Sequence, residues 1–252
     1  MLNLYKHIKI LTACCLMMVS ASACGNIPQK NTDNLDTDPL CGYNRAMFAF
    51  NEGFDKILLR PVTSGYRYVM PEEGRHMVSN FLDNLYTPVI FANSVLQGDP
   101  QNSFASLWRF ILNSTLGGAG LFDFASASGL HNRPADFGET LAMYGVDSGP
   151  YVVLPILGPS NIRDGVGRLT DAFLTPTNYA SNSVSYSIWG ATAIDIRSRN
   201  MSLIDSIYKD SLDPYSTMKS LYEQKRAADI RKAKASRQKS LKKALEKSLA
   251  NQ

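Results

Sequence analysis

The chain has 252 residues, of which 44% are hydrophobic and 19% are charged, and its formal net charge at pH 7 is +4. The charge is segregated, because residues 225–252 carry +8 and residues 1–23 carry +2, which leaves −6 on residues 24–224. This distribution is not that of a nucleic-acid binder, whose basic residues are spread with aromatic residues over a folded face. The acidic body is long enough to bury one core.

Residues 1–23 have the form of an export signal. Lys6 and Lys9 give a basic start, and the uncharged run that follows is shorter than the roughly 20 apolar residues that span a bilayer. The sequence ASAC, ending at Cys24, fits two kinds of cleavage before the cysteine: secretory cleavage frees the protein, whereas lipoprotein processing leaves a lipidated cysteine as an anchor. We predict lipidation at Cys24 over Cys14, because Cys14 has almost no apolar run ahead of it.

Residues 24–37 are polar and turn-rich, which predicts a flexible tether between the anchor and the folded part. After removal of the signal, two of the four cysteines remain, Cys24 and Cys41. An exported protein could pair them, but Cys41 is a lone thiol if Cys24 carries lipid. For that case we expect Cys41 to be a small, half-buried apolar residue.

Helical periodicity dominates residues 38–224. Asp38 and Pro39 signal the first helix, and Asp99 and Pro100 signal a later one. The apolar stripes at helical spacing are Tyr43, Met47, Phe50 and Phe54, then Val78, Phe81, Leu82 and Leu85, then Phe104, Leu107, Trp108, Ile111 and Leu112. Pro88 is expected to break or kink the second of these helices. Strand patterns are scarce apart from Tyr151–Leu154, so we predict an all-α, mostly helical body.

Three uncharged stretches are unusual for a water-soluble helical protein: residues 111–122, 149–159 and 172–194. The first is rich in small residues, as closely packed helices in or near membranes are. The second is interrupted by prolines, and the third is too polar to span lipid. Each stretch can be explained either by a buried core with glycine turns or by partial burial in a bilayer. The predicted lipid anchor favours the bilayer.

Beyond Lys225 the chain is rich in Ala, Lys and Arg, with few large apolar residues. The pattern predicts a basic helical tail over residues 225–252, solvated and fraying at its end. The alternative is attraction to anionic lipid head groups, worth roughly 1 kcal/mol per basic residue near a charged surface.

The sequence offers little for catalysis or metal binding. After the signal, the two remaining histidines, His76 and His131, are far apart and have no partner at metal-ligand spacing. His131 lies close to Asp136 and Glu139, so a Ser-His-Asp arrangement stays open, but a loop histidine is the favoured interpretation. No nucleophile elbow or phosphate-binding loop is present. We therefore predict a protein that is not an enzyme, with no catalytic residues, no metal and no cofactor.

Several collinear motifs resemble those of the MlaA/VacJ family of outer-membrane lipoproteins. The resemblance covers residues 38–224 and rests on DPLCGYNRAMFAFNEGFDKILLRPV, LQGDP, RFILNSTLGGAGLFD, DFGETLAMYGVDSGPYVVLPILGPSNIRDGVG and SLDPY. The chain departs from the family at Cys41, where the motif usually has a charged or polar residue. The basic tail is also outside the shared region, so the resemblance gives it no role.

The resemblance implies an α-helical, ring-like body embedded in the inner leaflet of the outer membrane, on its periplasmic face, and anchored by lipid. It implies a central amphipathic channel that removes mislocalised phospholipids from the outer leaflet and so maintains lipid asymmetry. It also implies three kinds of partner: phospholipids, a trimeric porin, and a periplasmic lipid carrier that feeds an inner-membrane ABC transporter. Transport of this kind breaks no covalent bond.

On this view the channel wall is apolar toward acyl chains and polar toward head groups. The polar candidates are Asn113, Ser114, Thr115, Arg163 and Asp164, and the apolar candidates are Tyr144, Tyr151 and Leu154. Packing of all eight in the core is equally compatible with the pattern. Two rival functions stay open: a phospholipase-like, lipid-modifying enzyme, and a structural lipoprotein associated with a porin.

Overall fold

The computed structural model describes residues 38–250. The predicted signal peptide (1–23), the lipidation site Cys24 and the tether (24–37) lie outside the described residues. The elements in chain order are α1 (Cys41–Phe54), a π-helical turn (Asp55–Leu59), α2 (Arg60–Val69), α3 (Glu72–Leu96), α4 (Pro100–Thr115), α5 (Phe124–Ala127), α6 (Phe137–Met143), β1 (Tyr151–Leu154), β2 (Gly158–Asn161), α7 (Ile162–Leu174), a 3-10 turn (Pro176–Tyr179), α8 (Asn182–Arg199), α9 (Met201–Asp210) and α10 (Pro214–Ala250). The prediction of an all-α body is confirmed, while the ring-like shape and the embedding in one leaflet stay predictions.

Short polar side chains start four of these helices. Asp99, Asp123, Asp136 and Asn161 each accept a hydrogen bond from the backbone N–H three residues ahead, at the starts of α4, α5, α6 and α7. Such caps satisfy N–H groups that have no partner within the helix, and each contributes about 1 kcal/mol. The start predicted at Asp99 is confirmed.

Pro88 does not break the helix in which it lies, because α3 runs from Glu72 to Leu96 without interruption. The alternative of an end at this proline was therefore wrong. Its neighbours explain the result, since Thr87 is buried and Val89 is fully buried. Packing of α3 against α4 and α7 offsets the hydrogen bond that proline cannot donate.

The strand predicted at Tyr151–Leu154 is confirmed and pairs antiparallel with β2. Two asparagines one heptad apart on α1 bind the hairpin. The amide of Asn44 donates to the carbonyl of Tyr151 (3.0 Å) and accepts from the N–H of Val153 (2.8 Å). The amide of Asn51 donates to the carbonyl of Leu154 (2.9 Å) and accepts from the N–H of Ile156 (2.7 Å). A helix therefore satisfies backbone groups that a third strand would otherwise pair.

The apolar core of the described residues is small. Its main cluster consists of Phe48, Tyr151, Val153 and Tyr215, with Cys41 and four larger side chains half-buried against it. Tyr215 belongs to the SLDPY motif, and its hydroxyl donates to Asp38 of the DPL motif. Arg45 lies over the ring of Tyr215, 4.6 Å from its centre, and binds Asp213 at 2.6 Å. Two motifs about 170 residues apart thus close one end of the body.

The C-terminal helix α10 is continuous across the predicted domain boundary at residues 224/225. A basic helical segment is confirmed, but the interpretation of a solvated tail was wrong for its first half, because Ala233 is fully buried and Ser240 nearly so. Ser236 and Ser240 both donate to the capping carboxylate of Asp99, Ser240 at 3.0 Å. Their hydroxyls hold this half of the helix against the body.

Among residues 38–250, none of the helices combines the length and the apolar content that crossing a membrane requires.

Candidate functional site

Helix α7 presents its apolar side to the outside and its charged side to the interior. The exposed apolar side chains are Ile162, Val166, Leu169 and Phe173, which recur at helical spacing. The buried residues are Arg163, Asp164, Gly167 and Asp171. In a protein surrounded by water the two faces would be exchanged.

The same inversion extends over the described part of the chain. The bulkiest fully buried side chains include Gln97, Glu139, Asn44 and Asn93. Large apolar side chains are instead exposed, among them Tyr68 (92%), Ile57 (82%), Val69 (78%) and Tyr179 (73%). Single exposed apolar residues are ordinary, but contiguous apolar surface marks a site that binds protein, membrane or ligand.

An ion-pair cluster made by helices α6, α7 and α10 fills part of the interior. Arg226 of α10 donates two parallel hydrogen bonds to Asp136, both 2.7 Å, and a third to Asp164 at 2.9 Å. Asp164 also accepts from the hydroxyl of Tyr222 at 2.6 Å. Burial opposes ionisation of Asp164, but these hydrogen bonds outweigh it and lower its pKa. Asp164 is therefore held as a carboxylate paired with arginine, as buried charges must be.

A second buried cluster lies where α3 meets α6. The guanidinium of Arg133 binds Glu139 (2.6 Å) and the side-chain oxygen of Gln97 (2.6 Å). The amide of Gln97 in turn donates to Thr140 at 3.1 Å. Burial raises the pKa of Glu139, although Arg133 acts in the opposite direction. Residues of the LQGDP and DFGET motifs thus form one hydrogen-bonded network.

The C-terminal end of α8 carries a third cluster. Arg197 donates to both oxygens of Asp55 in the π-helical turn, at 2.7 and 3.0 Å, and to Asp205 of α9 at 2.7 Å. Asp195 accepts from Ser79 of α3 at 2.5 Å and is paired with Arg199. The three clusters hold helices together by polar contacts where most proteins use apolar ones.

The three predicted polar residues at the end of α4 have different surroundings. Asn113 is buried, donates to Asp123 (3.1 Å) and accepts from the N–H of Ala125 (2.9 Å). Ser114 is half-buried and accepts from Asn84 at 3.0 Å. Thr115 is exposed, and its hydroxyl donates within its own helix. Asn113 therefore orders the glycine-rich loop after α4, a role that periodicity could not have indicated.

The other five candidates fall into two groups. Tyr151, Arg163 and Asp164 are buried and close together, because the ring of Tyr222 packs 5.9 Å from that of Tyr151 and its hydroxyl binds Asp164. Tyr144 is 68% exposed and donates to the carbonyl of Leu96 at 2.7 Å, while Leu154 is half-buried. Their contact with lipid stays a prediction.

An apolar groove of about 520 Å³ opens on the surface formed by α1 and the π-helical turn. It is lined by Ala49, Phe50, Gly53, Phe54, Ile57 and Leu58. The periodicity of the sequence predicts Phe50 and Phe54 on one helical stripe but does not indicate the groove, because periodicity does not tell whether a stripe faces the core or the outside. A side chain at Gly53 would enter open space.

The residues considered for catalysis are not arranged as a catalytic set. His131 is exposed, while Asp136 is bound to Arg226 and Glu139 is bound to Arg133. Within residues 38–250, no three His, Cys, Asp or Glu side chains are grouped so that they could hold a metal ion.

Comparison with known proteins gives consistent matches over the body. The family model described as MlaA lipoprotein matches residues 36–229. The intermembrane phospholipid transport system lipoprotein MlaA of Escherichia coli is 35% identical over 193 residues, which are 75% of this chain and 76% of that protein. The protein of the same name from Haemophilus influenzae is 32% identical over 221 residues, 85% of this chain and 87% of its own length.

An uncharacterized protein of Rickettsia bellii is 40% identical over 201 residues, 77% of this chain and 76% of its own. A solved structure, described as the structural basis for maintenance of bacterial outer membrane lipid asymmetry, matches with a TM-score of 0.69 and 35% identity. The match covers 77% of this chain and all of that one.

Proposed function

Because this chain belongs to the family of MlaA lipoproteins, we propose that it binds phospholipids misplaced in the outer leaflet of the outer membrane and passes them toward the inner membrane. In this way it maintains the lipid asymmetry of the outer membrane. The names of the Escherichia coli and Haemophilus influenzae relatives and the described role of the solved structure support this function.

The observation that carries the proposal is the inverted polarity of the body. Acyl chains solvate apolar side chains well and charged side chains badly, so a protein lying in one leaflet exposes the former and buries the latter. Helix α7 has this distribution, with Phe173 70% exposed and Arg163 only 7% exposed. A helical body of this kind rests among the lipid tails of the inner leaflet of the outer membrane, on the periplasmic side.

Attachment and partners are further parts of the proposal. Lipidated Cys24 anchors the chain, and residues 24–37 connect the anchor to the body. A trimeric porin supports the ring-like body in the membrane. A periplasmic lipid carrier accepts the phospholipid and delivers it to an inner-membrane ABC transporter.

The proposed lipid path has a polar side and an apolar side. Asn113, Ser114 and Thr115 contact head groups at the end of α4, and the buried pair Arg163 and Asp164 supplies charge at the start of α7. Tyr144, Tyr151 and Leu154 contact acyl chains. The exposure of Thr115 and Tyr144 supports direct contact for these two.

The function is tested in a deletion strain by measuring phospholipid in the outer leaflet. We expect the deletion to raise this phospholipid and the intact gene to restore the normal level. An unchanged level together with altered porin assembly would favour a structural lipoprotein. Release of fatty acid or lysolipid by the purified protein would favour a lipid-modifying enzyme.

Filling the groove on α1 tests whether lipid passes there. The substitution Gly53→Leu places a side chain in open space, so the fold should persist while outer-leaflet phospholipid rises toward the level of the deletion strain. Gly65→Leu is the matched control, because its side chain also enters open space but lies on α2, outside the groove. Equal complementation by both variants would remove the groove from the lipid path.

A further inference from the structure

The C-terminal helix α10 has two parts with different surroundings. Up to Ser240 it is held to the body by Arg226, by fully buried Ala233 and by the two serines that bind Asp99. The residue that follows, Leu241, is already 53% exposed. The family match ends at residue 229, so most of this basic segment is outside the part shared with the family.

The segment beyond Ser240 is amphipathic. Leu241, Leu245 and Leu249 are 53%, 61% and 62% exposed, and their spacing of four residues aligns them along one side of the helix. Exposed Lys243 lies on the opposite side, exposed Lys242 flanks the leucines, and Lys239, which is also exposed, comes just before this segment. Glu246 is the one acidic residue after Asp229 in the sequence, and it pairs with Lys242 at 3.9 Å.

We infer that residues 241–250 form an arm that binds an anionic phospholipid surface, with the lysines at the phosphate groups and the leucines at the boundary with the acyl chains. A basic helix with one apolar side binds such a surface because its basic side chains contact the anionic head groups while its apolar side chains contact the acyl chains. An acidic protein would pair with the lysines but would not by itself cover a stripe of leucines. The apolar surface of the body also favours the membrane as the neighbour of this arm.

The full-length lipoprotein, reconstituted in vesicles, tests the inference. In a Cys41→Ser background, Leu245→Cys carries a fluorophore that reports its distance from lipid. We expect a blue-shifted emission and quenching by spin-labelled lipid in vesicles of phosphatidylcholine with phosphatidylglycerol. In pure phosphatidylcholine, or at high salt, we expect both effects to weaken.

The variant Lys242→Gln/Lys243→Gln tests the charges of the arm. Each lysine removed should weaken arm binding to the anionic vesicles about fivefold, while binding to neutral vesicles changes little. Lys234→Cys is the matched control label, since it is exposed on the same helix within the part held to the body.

A fluorophore at Phe173→Cys reports whether the body is inserted in the membrane. The experiment therefore tests membrane embedding of the body separately from lipid binding by the arm. If the label at position 245 remains in water in both kinds of vesicle while the label at 173 is quenched, the arm does not bind lipid and the inference is overturned. In detergent, the label at position 245 could instead become shielded from water as the protein concentration rises, without quenching by lipid. That result would indicate that the arm binds a second copy of this chain, and it would also overturn the inference.

Discussion

Arg226 reaches from α10 into the interior, where it is paired with two carboxylates. Its side chain is only 14% exposed, and Asp164 is 5% exposed. Removing one partner of a buried pair leaves the other charge without compensation, which costs more than the pair itself contributes. Interactions of this kind replace the apolar contacts that are scarce in this body.

Arg226→Met keeps the aliphatic stem of the side chain but removes its charge. We expect a loss of about 3 kcal/mol in the free energy of unfolding, because Asp136 loses its arginine partner and Asp164 keeps only Arg163. For a body of this size the melting temperature should fall by roughly 6–12 °C, measured by circular dichroism in detergent. Lys56→Met is the control, since Lys56 is 56% exposed in its pair with Glu52 and should cost less than about 0.5 kcal/mol. Equal effects would show that the interior cluster contributes no more than a surface pair.

Protonation of Asp123 makes the free energy of unfolding depend on pH in the acid range. Burial raises its pKa, but hydrogen bonds from Ser126 and Arg109 outweigh burial and lower the pKa to about 2, from the ordinary value of 3.8 for an aspartate. A pKa lowered by folding stabilises above the unfolded value, and the stabilisation is lost as pH falls through about 4 to about 2. Because solvent screens this partly exposed carboxylate, Asp123→Asn should cost only about 1 kcal/mol at pH 6, and the difference from the parent should close near pH 2. Melting curves between pH 6 and pH 2 measure this, and a difference independent of pH would contradict it.

Among the helices, α6 and α7 approach so closely that only glycines fit between them. A Cβ atom at Gly167 would lie 2.3 Å from the backbone nitrogen of Gly138, and one at Gly138 would lie 2.6 Å from a carboxylate oxygen of Asp164. The close approach lets Asp136 and Asp164 share Arg226. It also explains why DFGET and NIRDGVG each carry a glycine at this crossing.

Substitutions at two glycines of α7 distinguish the effect of close helix packing on stability from the effect of helix propensity. Gly167→Ala should destabilise by roughly 1–3 kcal/mol, because the helices must move apart. Gly165→Ala, in the same helix, meets only the Ser160 hydroxyl at 4.0 Å and should stabilise by about 0.5–1 kcal/mol. Thermal unfolding of both variants measures the contrast. Destabilisation of similar size at the two positions would refute the role given to the crossing.

As a whole, the molecule buries charge and exposes apolar side chains, and besides the C-terminal arm it is proposed to have two attachments to the membrane. The first is the lipid on Cys24, and the second is the apolar surface that includes α7. A Cys24→Ala variant should still be cut after Ala23, because the small residues before the cut also fit secretory cleavage. Fractionation of this variant shows how much of the attachment depends on the lipid.

The apolar face of α7 can be tested in the Cys24→Ala background. Val166→Ser/Leu169→Ser/Phe173→Ser removes three exposed side chains and leaves the interior untouched. Each side chain should contribute about 1 kcal/mol to membrane binding, so the triple variant should partition about a hundredfold less into membranes. Unchanged helicity, measured by circular dichroism, serves as the folding control. Unchanged sedimentation with membranes would show that this face is not in lipid.

Much of the fold could be predicted from local patterns. The helix start at Asp99, the strand at Tyr151–Leu154 and the mostly helical body follow from capping residues and periodicity, which act over a few residues. The prediction that Pro88 ends its helix was wrong, because packing of the neighbouring Val89 outweighs the local free-energy penalty of proline. The start of the solvated tail was also misplaced, since the contact between Ser240 and Asp99 spans 141 residues of sequence.

The sequence by itself determined where helices begin, how charge is divided between body and tail, and which motifs the chain shares with its family. Only the tertiary structure decided which side of each helix is inside. Periodicity identifies an apolar side of α7 but carries no information on whether that side meets the core, water or lipid. The pairing of Arg226 with Asp136, 90 residues away, depends on the path of the chain, so it is settled only when the helices pack.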